Sequence, residues 1–376
     1  MSDLPLIESV RTRLLTRPLL RPWGADVPEM HLIVVEVSAG GETGVGFSWT
    51  PTIGPYAVQA LLAHDLAAFA VGRPAHPELL WDDAWLHLHE AGGGGVTTIA
   101  LAGLDLALWD LRAKVAGLSV ATLIGRRTDR LPAYGSGVNL HYSLEELVAQ
   151  AERWVAAGYR GAKIKVGSPE LSRDLERVAA VREVLGPDRW LAVDANQRWD
   201  LGTAERAIGA LARFDLRWVE EPLRADDLLG YTALRRRIDV PLACGENIHT
   251  LHRFTEFVAA DAVDILQPNI VRVGGITPFR RIAELARSRW PAGRTSTRST
   301  GSPSSWPPTR STSCSPTSSG SAASPRSCGS PGWPGPARGC SPRICCPTCP
   351  DSWRRPCQVP SGWRRSRTPA GKLSAS

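Results

Sequence analysis

The chain has 376 residues, 43% of them hydrophobic, and carries 44 Lys and Arg against 37 Asp and Glu, a formal charge of +7. The excess is local: residues 288–376 hold 13 of the basic residues and one acid, Asp351, so residues 1–287 set 31 basic against 36 acidic groups, a charge of −5. This excludes a nucleic-acid footprint as the meaning of the basic balance, and no apolar run approaches the length of a membrane-spanning helix.

No basic segment followed by an apolar core follows Met1, so no leader is expected. Length allows one large barrel and a smaller cap. His31–Val37, the turn Ala39–Glu42 and Val45–Trp49 read as an antiparallel hairpin. Helical patterns are expected over 55–70, 77–90 and 96–117, the last with Leu101, Leu104, Leu108 and Leu111 on one face. Gly92–Gly95 is a flexible lead-in, because the Lys-Ser or Lys-Thr of a nucleotide loop is missing. From about Leu131 strands and helices alternate, with helices expected near 144–157, 170–185, 202–213, 227–238 and 251–259, and a last one over Ile282–Arg287. Six barrel strands can be counted. The expected division is an α+β capping domain over 1–127, a partial (β/α) barrel over 128–287 and a low-complexity segment over 288–376.

Four apolar runs end in charge: Gly161–Val166 with Lys163 and Lys165, Trp190–Asp194, Leu216–Glu221, and Val240–Glu246. The steps from Lys165 to Asp194, Glu220 and Glu246 are 29, 26 and 26 residues, the length of a strand with its crossover helix. One charged strand end usually does no more than solvate a loop. A ladder of them places two lysines and three carboxylates at one barrel mouth, where parallel barrels collect functional side chains. Pleat alternation turns Lys163 and Lys165 to one side and Ala162, Ile164 and Val166 to the other, and puts Asn196 on the side of Asp194. Polar groups facing a barrel interior are expensive unless paired or bound to metal. Asp194, Glu220 and Glu246 suit a hard divalent cation such as Mg²⁺. Glu221 is open, because adjacent strand residues face opposite ways; spacing favours Glu220.

Lys163-Ile-Lys165, Val193-Asp-Ala-Asn196, Val219-Glu-Glu-Pro222, Gly245-Glu246 and Gln267–Gly275 resemble the enolase superfamily, and the paired lysines with three acids resemble its mandelate racemase and muconate lactonizing group. Ala100–Lys114, running on to Gly125, resembles that family's signature helix. Gly44–Ser48, Asp194–Asp200 and Glu220–Leu223 are most similar to acid-sugar dehydratases of the galactarate and talarate type. The resemblance spans roughly residues 5 to 287.

It implies a capping domain on a modified TIM barrel and Mg²⁺-dependent removal of the proton α to a carboxylate, with ene-diolate stabilisation. Lys165 would be the base, neutral when it accepts the proton, and Lys163 would stay protonated and hold a carboxylate oxygen. Asn196 would hydrogen-bond at the metal shell. The cap, through Trp23 in the loop Leu20–Gly24 and Trp49, would close over the mouth and select substrate. Dehydration of an acid sugar is the expected reaction; racemisation or epimerisation of a 2-hydroxy acid, or a non-catalytic pseudogene product, are the alternatives. A small carboxylate is the expected partner, with no nucleic acid or membrane, and a homo-oligomer is expected if the reading frame is restored.

Two departures stand out. Asn269 occupies the position of an aspartate that would orient a histidine on the next strand, and no histidine follows His252. His141 and His249 lie in loops that could reach the mouth. From Ser288 the chain turns to Ser, Pro, Arg, Thr, Gly, Trp and Cys with no hydrophobic period, a composition that cannot offset chain entropy. It reads as translation out of frame, with a genuine low-complexity tail as the alternative. Seven of the eight cysteines lie there, leaving Cys244 alone before it, so a reducing, cytoplasmic setting is expected. Cys346 and Cys349 have the spacing of half a zinc site, without a second half. The chain as written is expected to be poorly soluble, to lose residues beyond about 288 to protease quickly, and to turn over no acid sugar. Limited proteolysis with mass spectrometry checks this, and a protected tail in a cooperatively melting protein would overturn the frameshift reading.

Overall fold

The computed structural model describes residues 4–23 and 27–289; Gly24, the cysteine pair at 346 and 349 and the tail from 290 onward lie outside the described residues. The cap begins with an antiparallel sheet of β1 (Ile7–Pro18), β2 (Glu29–Ala39) and β3 (Glu42–Thr50), in that order. The expected hairpin is β2 and β3. Gly40 and Gly41 close it with φ of 58° and 80°, the paired positive values a two-residue turn of this hand requires. β1 was not anticipated. Its alternation is weak, with Ile7 buried but Val10 and Leu14 only half-buried, and its pairing with β2 is made at long range.

Ile33, Val35, Val37 and Ala39 of β2 are fully buried on one face, against helix Val96–Val115 and the helical run over 55–70. That run contains a π-helical segment, Leu61–Leu66. Leu101, Leu104, Leu108 and Leu111 are all buried, as their spacing predicts. The long helix lies directly on β3 because β3 carries Gly44 and Gly46: a Cβ there would sit 2.1 Å from the Ala107 carbonyl oxygen and 2.3 Å from that of Gly103.

The second sheet is parallel, in the order β4 (Gly135–Ser136), β5 (Gly161–Lys165), β6 (Trp190–Asp194), β7 (Leu216–Glu220), β8 (Leu242–Cys244) and β9 (Ile265–Leu266). The crossover helices are Leu144–Ala156, Leu171–Leu185, Leu201–Leu211, Leu228–Arg235 and Leu251–Ala259, and Ile276–Arg289 follows β9. Each agrees with expectation to within a few residues, except that the last begins six residues earlier than Ile282. Ala162, Ile164, Val166, Leu191 and Val193 face outward and pack with Val178, Val181, Ile208 and Leu211 of the helices. Inward, Ala192, Trp218 and Ala243 form a separate small layer with Trp190 and Ile265. Tyr134 joins it, with ring centroids 5.0 Å from Trp190 and 6.0 Å from Trp218. This aromatic layer lies below the charged strand ends.

Cap and barrel meet at the start of helix Ile276–Arg289. Asp105, buried in the long cap helix, accepts from the Thr277 backbone N–H at 3.0 Å and from its hydroxyl at 2.6 Å, and so caps a helix in the other domain. Trp109 Nε1 donates to the Thr277 hydroxyl at 3.0 Å. Gly275, with φ of 110°, leaves the space: a Cβ there would lie 2.3 Å from Asp105 Oδ2. Arg281 grips Asp82 through two hydrogen bonds of 2.6 and 2.9 Å, and Trp81 Nε1 donates to the Gly274 carbonyl at 2.8 Å.

Burial pushes the Asp105 carboxyl up from 3.8 to about 7, against the lowering effect of its bonds to Thr277. The folded state therefore holds this proton more tightly than the unfolded state, so stability from this group is full below pH 3.8 and is lost as pH rises through about 7. Asp105→Asn should flatten that decline, and Asp105→Ala should cost about 1–3 kcal/mol through the buried Thr277 groups left unpaired. Urea unfolding across this pH range measures both effects; an unchanged pH slope in Asp105→Asn would refute the assignment.

Candidate active site

The pleat of β5 turns Lys163 and Lys165 inward, and the carboxyl ends of β6 and β7 place Asp194 and Glu220 beside them. Asp194 and Glu220 are buried, and Lys163 is 8% exposed. Lys163 Nζ donates to Glu220 Oε1 at 2.5 Å and lies 3.5 Å from Asp194 Oδ2, while Lys165 Nζ donates to Asp194 Oδ2 at 2.5 Å. The remaining oxygens are also engaged. Asp194 Oδ1 accepts from the Asn196 backbone N–H at 2.9 Å; Glu220 Oε2 accepts from Gln267 Nε2 at 2.9 Å and Trp218 Nε1 at 3.2 Å. Glu246 follows β8, and one oxygen each from Asp194, Glu220 and Glu246 lies within 4.8 Å of the other two.

Burial works against every charge here. It disfavours the ammonium of Lys163, but Glu220 and Asp194 outweigh it and hold Lys163 above the ordinary lysine range. Burial likewise opposes the Asp194 carboxylate, yet Lys165 and Lys163 keep it below its ordinary value. Glu220 is pushed up by burial and by Asp194. Three carboxyl groups meet two lysines here, and three hard oxygen donors at this spacing are the donor set that a small divalent cation takes. The residues fit Mg²⁺.

Other expected residues are placed as follows. Asn196 falls beyond the end of β6, with φ of 45°, so pleat alternation is not what positions it. Asn269 accepts from the backbone N–H groups of Val271 at 3.0 Å and Arg272 at 3.3 Å, holding the turn after β9. Trp49 lies in β3, packs on the cap core, and has the Arg272 guanidinium 6.0 Å from its ring centroid. Trp23 is half-buried, and its N–H donates to the Val27 carbonyl at 3.1 Å. Nearby Arg21 stacks on Tyr142 at 3.7 Å and pairs with Glu146 at 2.9 Å, which ties this cap loop to the barrel. His141 is exposed. His249 donates through Nδ1 to the Arg272 carbonyl at 3.2 Å; burial and Arg272 hold it below the ordinary imidazole range.

Several residues went unnoticed in the sequence. Buried Asn139, after β4, accepts the Lys165 backbone N–H at 3.0 Å and sets the end of β5. Gln267 and Trp218 steady Glu220; only the inward parity of Trp218, two residues before Glu220, was a usable signal. A cleft of about 540 Å³ opens beside the carboxylates, lined by Asn196, Gln197, Arg224, Asp226, Asn247 and His249. Glu221, fully buried, lies behind it, its carboxyl pushed up to about 7 by burial and by Glu246.

Two family descriptions match the chain: the N-terminal domain of mandelate racemase / muconate lactonizing enzyme over residues 13–125, and the enolase C-terminal-like domain over 146–289. The chain is 39% identical over 290 residues to 3,6-anhydro-alpha-L-galactonate cycloisomerase of Streptomyces coelicolor, covering 75% of this chain and 80% of that protein. It is 36% identical over 297 residues to L-talarate/galactarate dehydratase of Salmonella typhimurium, covering 74% and 73%. Its structure is similar to that of L-talarate dehydratase from Polaromonas sp. JS666 complexed with Mg and L-glucarate, with a TM-score of 0.71 and 36% identity over 76% of this chain and 79% of that one.

Glu220→Gln removes one of the three carboxylates at constant size. Calorimetric titration should show Mg²⁺ affinity falling by more than the roughly 10–100-fold typical of changes outside a metal's ligand set, with the circular dichroism unchanged. Unaltered binding would remove Glu220 from the ligands.

Proposed function

The chain belongs to the mandelate racemase / muconate lactonizing enzyme family of the enolase superfamily, and from this we propose that, with its reading frame restored past residue 288, it is a Mg²⁺-dependent enzyme that removes the α-proton of a sugar acid and dehydrates it. The observation that carries the reading is the convergence of Lys163 and Lys165 on Asp194 and Glu220 within 2.5 Å, with Glu246 completing the carboxylate set. Bound Mg²⁺ supplies a Lewis acid at the substrate carboxylate, neutralising the charge that grows as the α-proton leaves.

Asp194, Glu220 and Glu246 would hold the ion, with Gln267 and Trp218 fixing the orientation of Glu220. Lys163 would stay protonated and hold a carboxylate oxygen of the substrate. Lys165 accepts the α-proton at Nζ and would return it to the β-hydroxyl, which leaves as water. The Lys165 backbone is pinned through Asn139, which limits the arc its side chain can sweep. Asn196 and the polar cleft beside it meet the hydroxylated end of the substrate. Trp49 and Trp23 belong to the cap surface that selects it. Asn269 supports the loop after β9 that carries Arg272 toward Trp49.

A second reading is favoured by the similarity to a protein named as a cycloisomerase: intramolecular isomerisation of a sugar acid from the same proton abstraction. Mass analysis of the product separates the two, since dehydration loses water and isomerisation does not.

In a protein with the reading frame restored past residue 288, Lys165→Met should abolish exchange of the substrate α-proton with solvent deuterium on the face that Lys165 serves, while the circular dichroism stays unchanged. Exchange followed by NMR at the wild-type rate would transfer the base role to another group.

A further inference from the structure

Five non-glycine residues among those described have positive φ, and three of them gather behind the carboxylate cluster: Asn196 at 45°, Gln197 at 62° and Glu221 at 40°. L-residues hold such conformations only where the surroundings over-determine them. The constraint is visible. The Gln197 N–H donates to the Glu221 carbonyl at 2.7 Å, and the Glu221 N–H donates to the Ala243 carbonyl at 3.0 Å. The Glu221 side chain, fully buried, accepts through Oε2 from Gln197 Nε2 at 3.2 Å and from Asn247 Nδ2 at 2.7 Å. Gln197 in turn accepts the Ala225 N–H at 2.9 Å. One carboxylate oxygen thus joins the turns after β6, β7 and β8.

Each of those turns adjoins a carboxylate of the cluster: Gln197 lies three residues past Asp194, Glu221 follows Glu220, and Asn247 follows Glu246. The other oxygen, Glu221 Oε1, is buried without a hydrogen-bond partner. A merely structural site would favour an apolar residue here, since a buried carboxylate beside other carboxylates is costly. What an apolar residue cannot do is accept from two loops at once.

We propose that Glu221 is a positioning residue for the metal site, whose hydrogen bonds to Gln197 and Asn247 lock the three turns so that Asp194, Glu220 and Glu246 converge before the cation arrives. The proposal rests on the assignment of those three carboxylates as the metal ligands. It implies that the acceptor geometry of Glu221 matters and that its charge does not, so glutamine should serve nearly as well as glutamate.

The test is calorimetric titration of the full chain with MgCl₂. Glu221→Ala should weaken Mg²⁺ about 10–100-fold, in the range of changes that disturb the residues behind a metal's ligands. Glu221→Gln should recover most of that loss, since its amide oxygen accepts from both partners. Gln197→Ala and Asn247→Ala, which cut one tie each, should give intermediate weakening; they carry the test should Glu221→Ala fail to fold. Melting temperatures measured in chelator report the fold separately from the metal. Wild-type affinity in Glu221→Ala, or in both single-tie variants, overturns the proposal. So does a Glu221→Gln variant as weak as Glu221→Ala, which would make the charge the active property. Glu220→Gln is the control: if it binds Mg²⁺ like the wild type, the ligand assignment itself fails, whatever the Glu221 variants do.

Discussion

Three carboxylates cannot share a buried space with their oxygens within 4.8 Å of one another unless positive charge is brought to them. Coulomb repulsion at this separation is several kcal/mol at the effective dielectric of a protein, and burial removes the water that would screen it. Much of the architecture answers this constraint. The parallel sheet delivers two lysines from β5 and aims them at Asp194 and Glu220. Tyr134, Trp190 and Trp218 pack together below, and Gln267 and Trp218 occupy the Glu220 oxygen that no lysine reaches.

The same economy of buried charge joins the two domains. Asp105 leaves the apolar body of the longest cap helix to cap a helix that follows β9, so the cap is held by directional bonds and by the Arg281 and Arg280 pairs with Asp82 and Glu78. This docking brings the Gly92–Gly95 segment and Thr98 close to the loop after β8, where Thr98 Oγ1 lies 3.3 Å from His249 Nδ1. The cleft beside the carboxylates therefore opens next to a fixed cap surface. Asn196, Gln197, Arg224 and Asn247 line it.

Much of this was legible in the amino-acid order, for identifiable reasons. Strand-end charges recurring at the length of a strand and helix betray the parallel repeat, and two-residue alternation orients both lysines. The hairpin was legible through Gly40-Gly41, and the cap helix through its leucines. Other features left no local mark. The strand β1 pairs with β2 across a long connection and has only a weakly apolar face. Asn139 and Asn247 look like ordinary loop polars, because what distinguishes each is the partner it meets from another strand. Asn196 was placed by extending an alternation past the end of β6, where the chain had already turned to positive φ. The task of Glu221 is not legible from one strand, because its partners Gln197 and Asn247 lie after the neighbouring ones.

The sequence by itself determined the six-strand repeat, the capping helix and the identity of the charged groups at the barrel mouth, since these follow from periodicity and from the cost of burying charge. Only the tertiary structure decided which groups share a proton or an ion: that Lys163 turns to Glu220 and Lys165 to Asp194, that Asp105 serves a helix in the other domain, and that one oxygen of Glu221 joins three loops. The physical reason is range. Local order along the chain fixes the direction of a side chain, whereas hydrogen bonds and ion pairs form between groups tens of residues apart, and their partners exist only once the strands lie side by side.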